Sequence, residues 1–592
     1  MNRVYSPLIY LTLLSLLLAG NGCGLVVSPP QTQPASTPAP LNLLRQTPVR
    51  QVNDPGAIQT WVETTLRRMS TEEKVGQLLV VGIEGEKISR ENCAYLQQIK
   101  PAGITLSGEN LPDPDSLRAF TQGLQACAQD AGIPPLLISL AHEGEYVDRF
   151  RSGTTLFPAA LALGATGDPE TAFQAALASG QELGYSGVNL ILGPVADVLT
   201  NYSNEVISQR SYGGDPTQVS RFVSRAVEGY REAELIPALK HFPGHGSVAQ
   251  DSHRTMPIDR SNLGTIRHTH LLPFQAGITA GAPVVMLSHV SYPAIDNGRE
   301  IPATVSENVV NLLRQELGFT GVILSDSMRM RAVTRIMTIP EASLQAVQAG
   351  VDLLLVTTPA DAQETKAYLL DGMQQGRLTE KRIDEAARRV LWLKAAHGLA
   401  DFPVPLPGAP DWQTNQRLAK QIGERAVALI KNEDELTPIP ANKRNILVIG
   451  PGEGWELYPM LRDAFTENGF KADFAPFPQP WEGEIKDRGL QGSLAAQANA
   501  YKLVLLFTWQ AHLNRLTHDD TWQIELVDQL LKSGVPLIVV AIKSPTDILE
   551  FPEVGTYLAM FGTTLGQERA LVDILVGRRT PMGLNPLPGL IP

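Results

Sequence analysis

The sequence predicts an α/β fold: a (β/α)8 TIM-type barrel followed by a smaller α/β sandwich domain. Three observations predict it. Short apolar runs recur along the first two thirds of the chain, and eight of them stand in series. Each is followed by a stretch with helical periodicity. The runs are nearly continuous rather than alternating, which is the pattern of strands buried on both faces, as in parallel sheets under helices. A series of eight favours a closed barrel over an open doubly wound sheet.

Taken in order, the barrel strands are expected at 78–83, 103–106, 136–140, 188–192, 236–239, 284–287, 322–324 and 353–356. Helices are expected at 115–131, 169–183, 217–233, 263–279, 306–317 and 341–349, with 361–375 and 379–393 after the eighth strand. Ser70 followed by Glu73 has the spacing of a capping box, which satisfies free N–H groups where a helix begins. The barrel is assigned to 55–395. Four prolines interrupt the pattern in 396–416, the expected linker. The block 417–592 then carries apolar runs at 446–449, 503–507, 537–542 and 557–561, with helical patterns at 456–468 and 521–533.

The first 23 residues are of another kind. Arg3 gives a charged start, and an apolar run from Leu8 to Ala19 is short for a bilayer span of about 20 residues. This is the shape of an export signal. Cys23 just after it stands where bacterial lipoproteins carry their lipid, although Gly20 occupies a position where they carry Leu. An ordinary cleaved signal and an uncleaved anchor are the alternatives. Residues 24–54 are rich in Pro, Ser and Thr and read as an extended tether. The chain is thus expected to be exported to the cell surface or periplasm, with a lipid or signal anchor as its membrane contact. Of the other two cysteines, Cys93 and Cys127, the reading is buried free thiols, with one disulfide as the alternative.

Composition narrows the function. With 49 Lys plus Arg against 61 Asp plus Glu, the net charge is −12 and no basic block occurs, which disfavours nucleic-acid or anionic-membrane partners. There is no CxxC pair, metal-ligand cluster or cofactor motif, so neither a metal nor a cofactor is expected, and a monomer is favoured.

In a barrel of this type, chemistry sits at the carboxyl ends of the strands. Those positions carry Ala141-His142-Glu143-Gly144, Gly193-Pro194-Val195-Ala196-Asp197, Lys240-His241-Phe242-Pro243-Gly244-His245-Gly246, Ser288-His289 and Ser325-Asp326-Ser327-Met328. The loop after the fifth strand goes on to Asp251-Ser252-His253. In an extended stretch, residues i and i+2 point the same way, which brings Asp251 within reach of His253. A carboxylate on one ring nitrogen orients an imidazole and leaves the other nitrogen to move protons.

KHFPGHG, then DSH, then SDSM, in this order and spacing, resemble glycoside hydrolase family 3, and most closely its β-N-acetylglucosaminidase branch. PLLISLAHEGEYVDRF, GPVADV, ISQRSYGGDP and PATVSENVVNLLRQELGFTGVILSDSM match further barrel segments. VALIKNEDELTPI and GRRTPMGLNPLP match the family's second domain. The resemblance spans roughly 55–592. It implies a retaining exo-glycosidase that removes terminal non-reducing β-linked N-acetylglucosamine, from cell-wall muropeptides or chitooligosaccharides. Asp326 would be the nucleophile of a covalent glycosyl–enzyme intermediate, His253 the acid/base and Asp251 its partner. Arg149, Arg210, Lys240 and His241 would hold the sugar, while His245, His289 and Asp197 read as supporting groups. The family's strand-3 aspartate, an acceptor for sugar hydroxyls, is replaced by Ala141, with His142 in place of Gln and Glu145-Tyr146 in place of Gly-Arg. That departure keeps other readings open: a β-glucosidase-like enzyme, a β-glycoside phosphorylase, or an inactive sugar-binding surface protein.

Overall fold

The computed structural model describes residues 54–150, 152–452, 455–478 and 488–590. Cys23 and almost all of the 24–54 tether lie outside them. Eight parallel strands close a barrel in sequence order: β1 (Leu79–Gly82), β2 (Gly103–Thr105), β3 (Leu137–Leu140), β4 (Leu190–Ile191), β5 (Ile236–Phe242), β6 (Val284–Leu287), β7 (Val322–Ser327) and β8 (Leu353–Val356). The β1–β8 pairing seals it, with Val80 opposite Leu355. Buried Val80, Leu137, Leu190, Ile236, Met286 and Leu324 fill the interior, so the barrel is a packed core beneath its carboxyl end. Two strands outrun their expected ends. β5 continues through Lys240 and His241, and β7 through Asp326. The polar residues that blurred these ends to the eye are the ones that face the cavity.

The first helices show how local sequence sets the frame. Asp54 accepts a hydrogen bond from the Gly56 N–H at the start of helix Pro55–Arg68. Ser70 and Glu73 form the expected capping box, with the Ser70 N–H donating to Glu73 at 2.8 Å. At the amino end of the barrel, far from its mouth, Lys394 is fully buried on helix Glu380–Ala396. Its ammonium donates to Gln77 Oε1 at 2.9 Å, and Gln77 in turn donates to the carbonyls of Lys100 and Pro101. Burial pushes the Lys394 pKa down to about 7. A lysine so depressed destabilises the fold fully below pH 7 and progressively less as pH rises toward its ordinary value. Lys394→Met is therefore expected to raise stability by on the order of 2 kcal/mol at pH 7 or below, after the loss of one hydrogen bond. Thermal melts between pH 7 and 10 would show the wild type catching up with the variant. A variant that is less stable throughout would contradict this.

Residues 397–411 are irregular, and helix Trp412–Ala426 follows. The second domain is built on a six-stranded sheet of order β11-β10-β12-β13-β14-β9. Its strands are β9 (Ala428–Asn432), β10 (Asn445–Pro451), β11 (Lys471–Phe477), β12 (Leu503–Thr508), β13 (Leu537–Ala541) and β14 (Thr556–Ala559), all parallel except the β14–β9 pair. Successive residues serve opposite faces. Leu447 and Ile449 join one apolar cluster, Ile446 and Val448 the other. The first cluster runs on into Leu161, Ala165, Leu199 and Ile207 of the barrel, so the two domains share a core. β9 and β11 were not foreseen. Both are edge strands, only partly buried, and β11 contains Pro476, so neither shows the continuous apolar run of a central strand.

Residues 583–588 return to the barrel. The Leu584 N–H donates to the Ala165 carbonyl at 2.7 Å, and the Pro586 carbonyl accepts from the Gly214 N–H at 3.0 Å. The Tyr202 hydroxyl donates to the Pro588 carbonyl.

The cysteine expectation needs correction. Cys93 and Cys127 are not free thiols but a disulfide. Helix Arg90–Ile99 lies against helix Pro114–Asp130 and brings their Cα atoms to 5.1 Å, a proximity that residues 34 apart in sequence do not announce. No helix among the described residues is long and apolar enough to cross a membrane.

Candidate active site

One cavity of about 820 Å³ opens at the carboxyl end of the barrel. It is lined by Asp326, Lys240, His241, Arg210, Arg149, Asp251 and His253, so all the catalytic and sugar-holding candidates meet there. Asp326 stands near the end of β7 and accepts a hydrogen bond from the Ser327 N–H at 2.7 Å. Burial pushes its carboxyl up. His241 and His289 beside it, the Ser327 N–H and the Lys240 ammonium outweigh that and hold it below its usual value. Asp326 is therefore an anion on a rigid strand. His289 braces that strand end: its Nε2 donates to the Ser327 carbonyl at 3.0 Å, and its Nδ1 lies 2.7 Å from the Thr304 hydroxyl. Burial lowers the His289 pKa, while the Asp326 carboxylate beside it works in the opposite direction.

The fifth strand delivers Lys240 and His241. Asp197, fully buried after β4, places Oδ2 2.8 Å from His241 Nδ1 and accepts from the His245 N–H at 2.6 Å. With Nδ1 held by Asp197, His241 turns its Nε2 toward Arg210, 3.4 Å away. The loop after β5 reaches Asp197 through Gly246, where a Cβ would meet the Val198 carbonyl at 1.9 Å, so only glycine allows the approach.

Asp251 and His253 touch, by a route other than the extended alternation expected. The segment is a turn. Asp251 Oδ1 accepts from the His253 N–H at 2.7 Å and also lies 2.8 Å from His253 Nδ1. One carboxylate oxygen thus fixes both the backbone and the ring of the same residue. Ser252 is pinned on either side, its hydroxyl 3.1 Å from His245 Nε2 and its carbonyl accepting from the Ala332 N–H. The His253 side chain is 64% exposed, at the rim, while Asp251 lies beneath it.

A group not singled out from the sequence is Glu143. Its carboxylate takes Arg210 through Nε at 2.7 Å and Nη2 at 2.9 Å, and Lys240 at 2.5 Å. Arg210 and Lys240, expected as sugar donors, are therefore also bound to each other through this anion. Burial raises the Glu143 carboxyl, but the two cations overcome it and hold the group well below the carboxylate range. The signal was present, since Glu143 is in the polar cluster at the end of β3. Its pairing with Arg210, 67 residues away, was not. The second domain also reaches the cavity. Helix Ala511–His518 and the residue before it contribute Gln510, Leu513, Asn514, Thr517 and His518. On the barrel side, Tyr146, Glu205 and Arg254 face the same opening.

Residues 70–393, more than half of the chain, match the family model described as the glycosyl hydrolase family 3 N-terminal domain. The chain belongs to glycoside hydrolase family 3. Among curated relatives, a β-N-acetylglucosaminidase/β-glucosidase of Cellulomonas fimi is 27% identical over 563 residues, covering 89% of this chain and 95% of that one. A β-hexosaminidase of Xylella fastidiosa strain M23 is 35% identical over 289 residues, covering 48% of this chain and 84% of the relative. The solved family 3 β-N-acetylglucosaminidase of Paenibacillus sp. strain FPU-7 superposes with a TM-score of 0.79 at 29% identity, over 88% of this chain and 99% of that one. The two-domain arrangement of this family 3 member is thus shared along nearly its whole described length.

Proposed function

We propose that the chain is an exo-acting β-N-acetylhexosaminidase that removes terminal non-reducing β-linked N-acetylglucosamine with net retention. The observation that carries the proposal is the Asp251–His253 pair at the rim of the cavity that also holds anionic Asp326. Asp326 attacks the anomeric carbon and forms a glycosyl ester. His253, with Nδ1 held by Asp251, gives its Nε2 proton to the departing oxygen. It then takes a proton from the water that cleaves the ester. Arg149, Arg210, Lys240 and His241 donate to or accept from the sugar. Glu143 supplies a buried carboxylate acceptor two residues beyond Ala141, where the resemblance led one to expect an aspartate. Tyr146 and helix Ala511–His518 wall the same cavity.

Export is part of the proposal. A disulfide between Cys93 and Cys127 suits an oxidising compartment, in keeping with the export signal and lipid-acceptor Cys23 read from the sequence. Cell-wall muropeptides or chitooligosaccharides are the substrates proposed there.

The experiment is release of the aglycone from β-N-acetylglucosaminides with good and poor leaving groups, with and without phosphate. His253→Ala is expected to lose about 10²-fold or more in kcat/KM on the natural disaccharide and much less on the activated aryl glycoside, because only the poor leaving group needs the proton. Equal losses on both would remove His253 as the acid, and a sugar 1-phosphate product would make the enzyme a phosphorylase.

A further inference from the structure

Outside the cavity, the second domain grips the two barrel loops that carry the Glu143–Arg210 pair. In the loop after β3, Glu145 is 7% exposed and does not line the cavity. Its Oε1 accepts from the Lys543 ammonium at 2.8 Å, the Thr563 N–H at 2.8 Å and the Thr563 hydroxyl at 2.9 Å. In the loop after β4, Gln209 immediately precedes Arg210 and is 1% exposed. Its Nε2 donates to the Lys543 carbonyl at 2.7 Å and lies 3.4 Å from the Phe561 carbonyl. The same lysine therefore anchors both loops, one through its ammonium and the other through its backbone. Its ammonium also sits 4.8 Å from the ring centre of Trp509, the residue before Gln510 at the cavity wall.

The fit is close. At Gly562, a Cβ would come within 1.9 Å of Glu145 Oε2, so the second-domain loop meets the carboxylate backbone to side chain. Inside the β3 loop, the Glu143 N–H donates to the Val147 carbonyl and the Glu145 N–H to the Phe157 carbonyl, so a shift at Glu145 is passed to Glu143 two residues away. Arg210 receives a parallel constraint through its N–H to the Ile207 carbonyl.

We propose that Glu145 and Gln209 are positioning residues, through which Lys543 and the 561–563 segment of the second domain hold the Glu143–Arg210 pair in register with Asp326. The second domain then has a part in catalysis beyond stabilising the barrel. The inference rests on the reading that Glu143 and Arg210 bind the sugar. Misplacing a substrate-holding group by about 1 Å can cost on the order of 10²-fold in rate, so a remote tether suffices to matter.

The test measures kcat, KM and Tm on an aryl β-N-acetylglucosaminide for Glu145→Ala, Glu145→Gln, Gln209→Ala and Arg425→Ala. Arg425 pairs with Asp168 across the same domain boundary at 2.9 Å, outside the cavity lining, and controls for loosening of the interface alone. Glu145→Ala and Gln209→Ala are expected to lower kcat/KM about tenfold or more, chiefly through KM, and Glu145→Gln less, since it keeps the oxygen that accepts from Thr563. Arg425→Ala lowers Tm with kcat/KM within about twofold. In a Glu143→Gln background the Glu145→Ala loss shrinks toward none, because both act through one pair. Should Glu145→Ala fail to fold, Glu145→Gln and Gln209→Ala carry the same comparison. Losses that track Tm alike in all variants, or that multiply independently of Glu143, overturn the proposal. A wild type without turnover overturns instead the functional reading on which it stands.

Discussion

Asp326→Ala is expected to abolish useful turnover, with a loss on the order of 10⁴-fold on an aryl β-N-acetylglucosaminide that far exceeds what its modest fall in Tm accounts for. The loss is large because the oxocarbenium-like transition state needs an anion on one face of the ring, and the cavity is arranged to keep Asp326 ionised. Because the site holds the Asp326 carboxyl below its usual value, the anion contributes to stability at neutral pH, and its removal also lowers Tm modestly. Added azide separates this role from that of a bystander. In Asp326→Ala a small anion entering the vacated face gives the glycosyl azide of inverted configuration. In His253→Ala, where Asp326 still forms the ester, azide intercepts the intermediate and gives the retained anomer. Chirality of the azide product reads out the assignment, and Asp326→Ala with wild-type activity would sink it.

Glu143→Ala is expected to be nearly as damaging, through binding and stability together. It strands the Arg210 guanidinium and the Lys240 ammonium in a buried site, and removing one partner of a buried ionic cluster costs about 3–5 kcal/mol. KM should rise by about 10²-fold, since a hydroxyl acceptor is lost and the two donors lose their anchor. Glu143→Gln keeps the shape and one acceptor and should cost less in both respects. The pH dependence follows from the direction of the shift. A carboxyl held below its ordinary value contributes stability that is complete above the carboxylate range and is lost as pH falls through its folded value. Thermal melts from pH 7 down to 3 should therefore fall more steeply for wild type than for Glu143→Gln. Parallel curves would show that the cluster adds nothing to the acid limb.

The barrel was legible because its strands are covered on both faces, and a strand with no solvated side must be apolar almost throughout. Asp326, Lys240 and His241 were legible for the complementary reason. They are polar residues at the ends of such runs, where nothing in the packing calls for them. The edge strands β9 and β11 carry no such pattern, because one flank of each is open. The Asp251–His253 contact was legible from spacing, although a turn rather than an extended segment makes it. Glu143 was in plain view but meaningless without Arg210 and Lys240. The disulfide and the Glu145–Lys543 tie depend on how helices and domains dock, which local periodicity does not encode.

The return of residues 583–588 to the barrel bears on how the chain is made. A ribosome releases the barrel first, yet the loop after β4 waits for partners far downstream, as in the Tyr202–Pro588 contact across 386 positions. Until those residues emerge, the nascent barrel shows the apolar patch around Leu161, Ala165, Leu199 and Ile207 that the second domain later covers. Contacts of such long range form late and slowly, and the waiting intermediate is prone to self-association. Synthesis of the barrel segment by itself should therefore yield insoluble material, and co-expression of the second domain in trans should bring part of it back into solution.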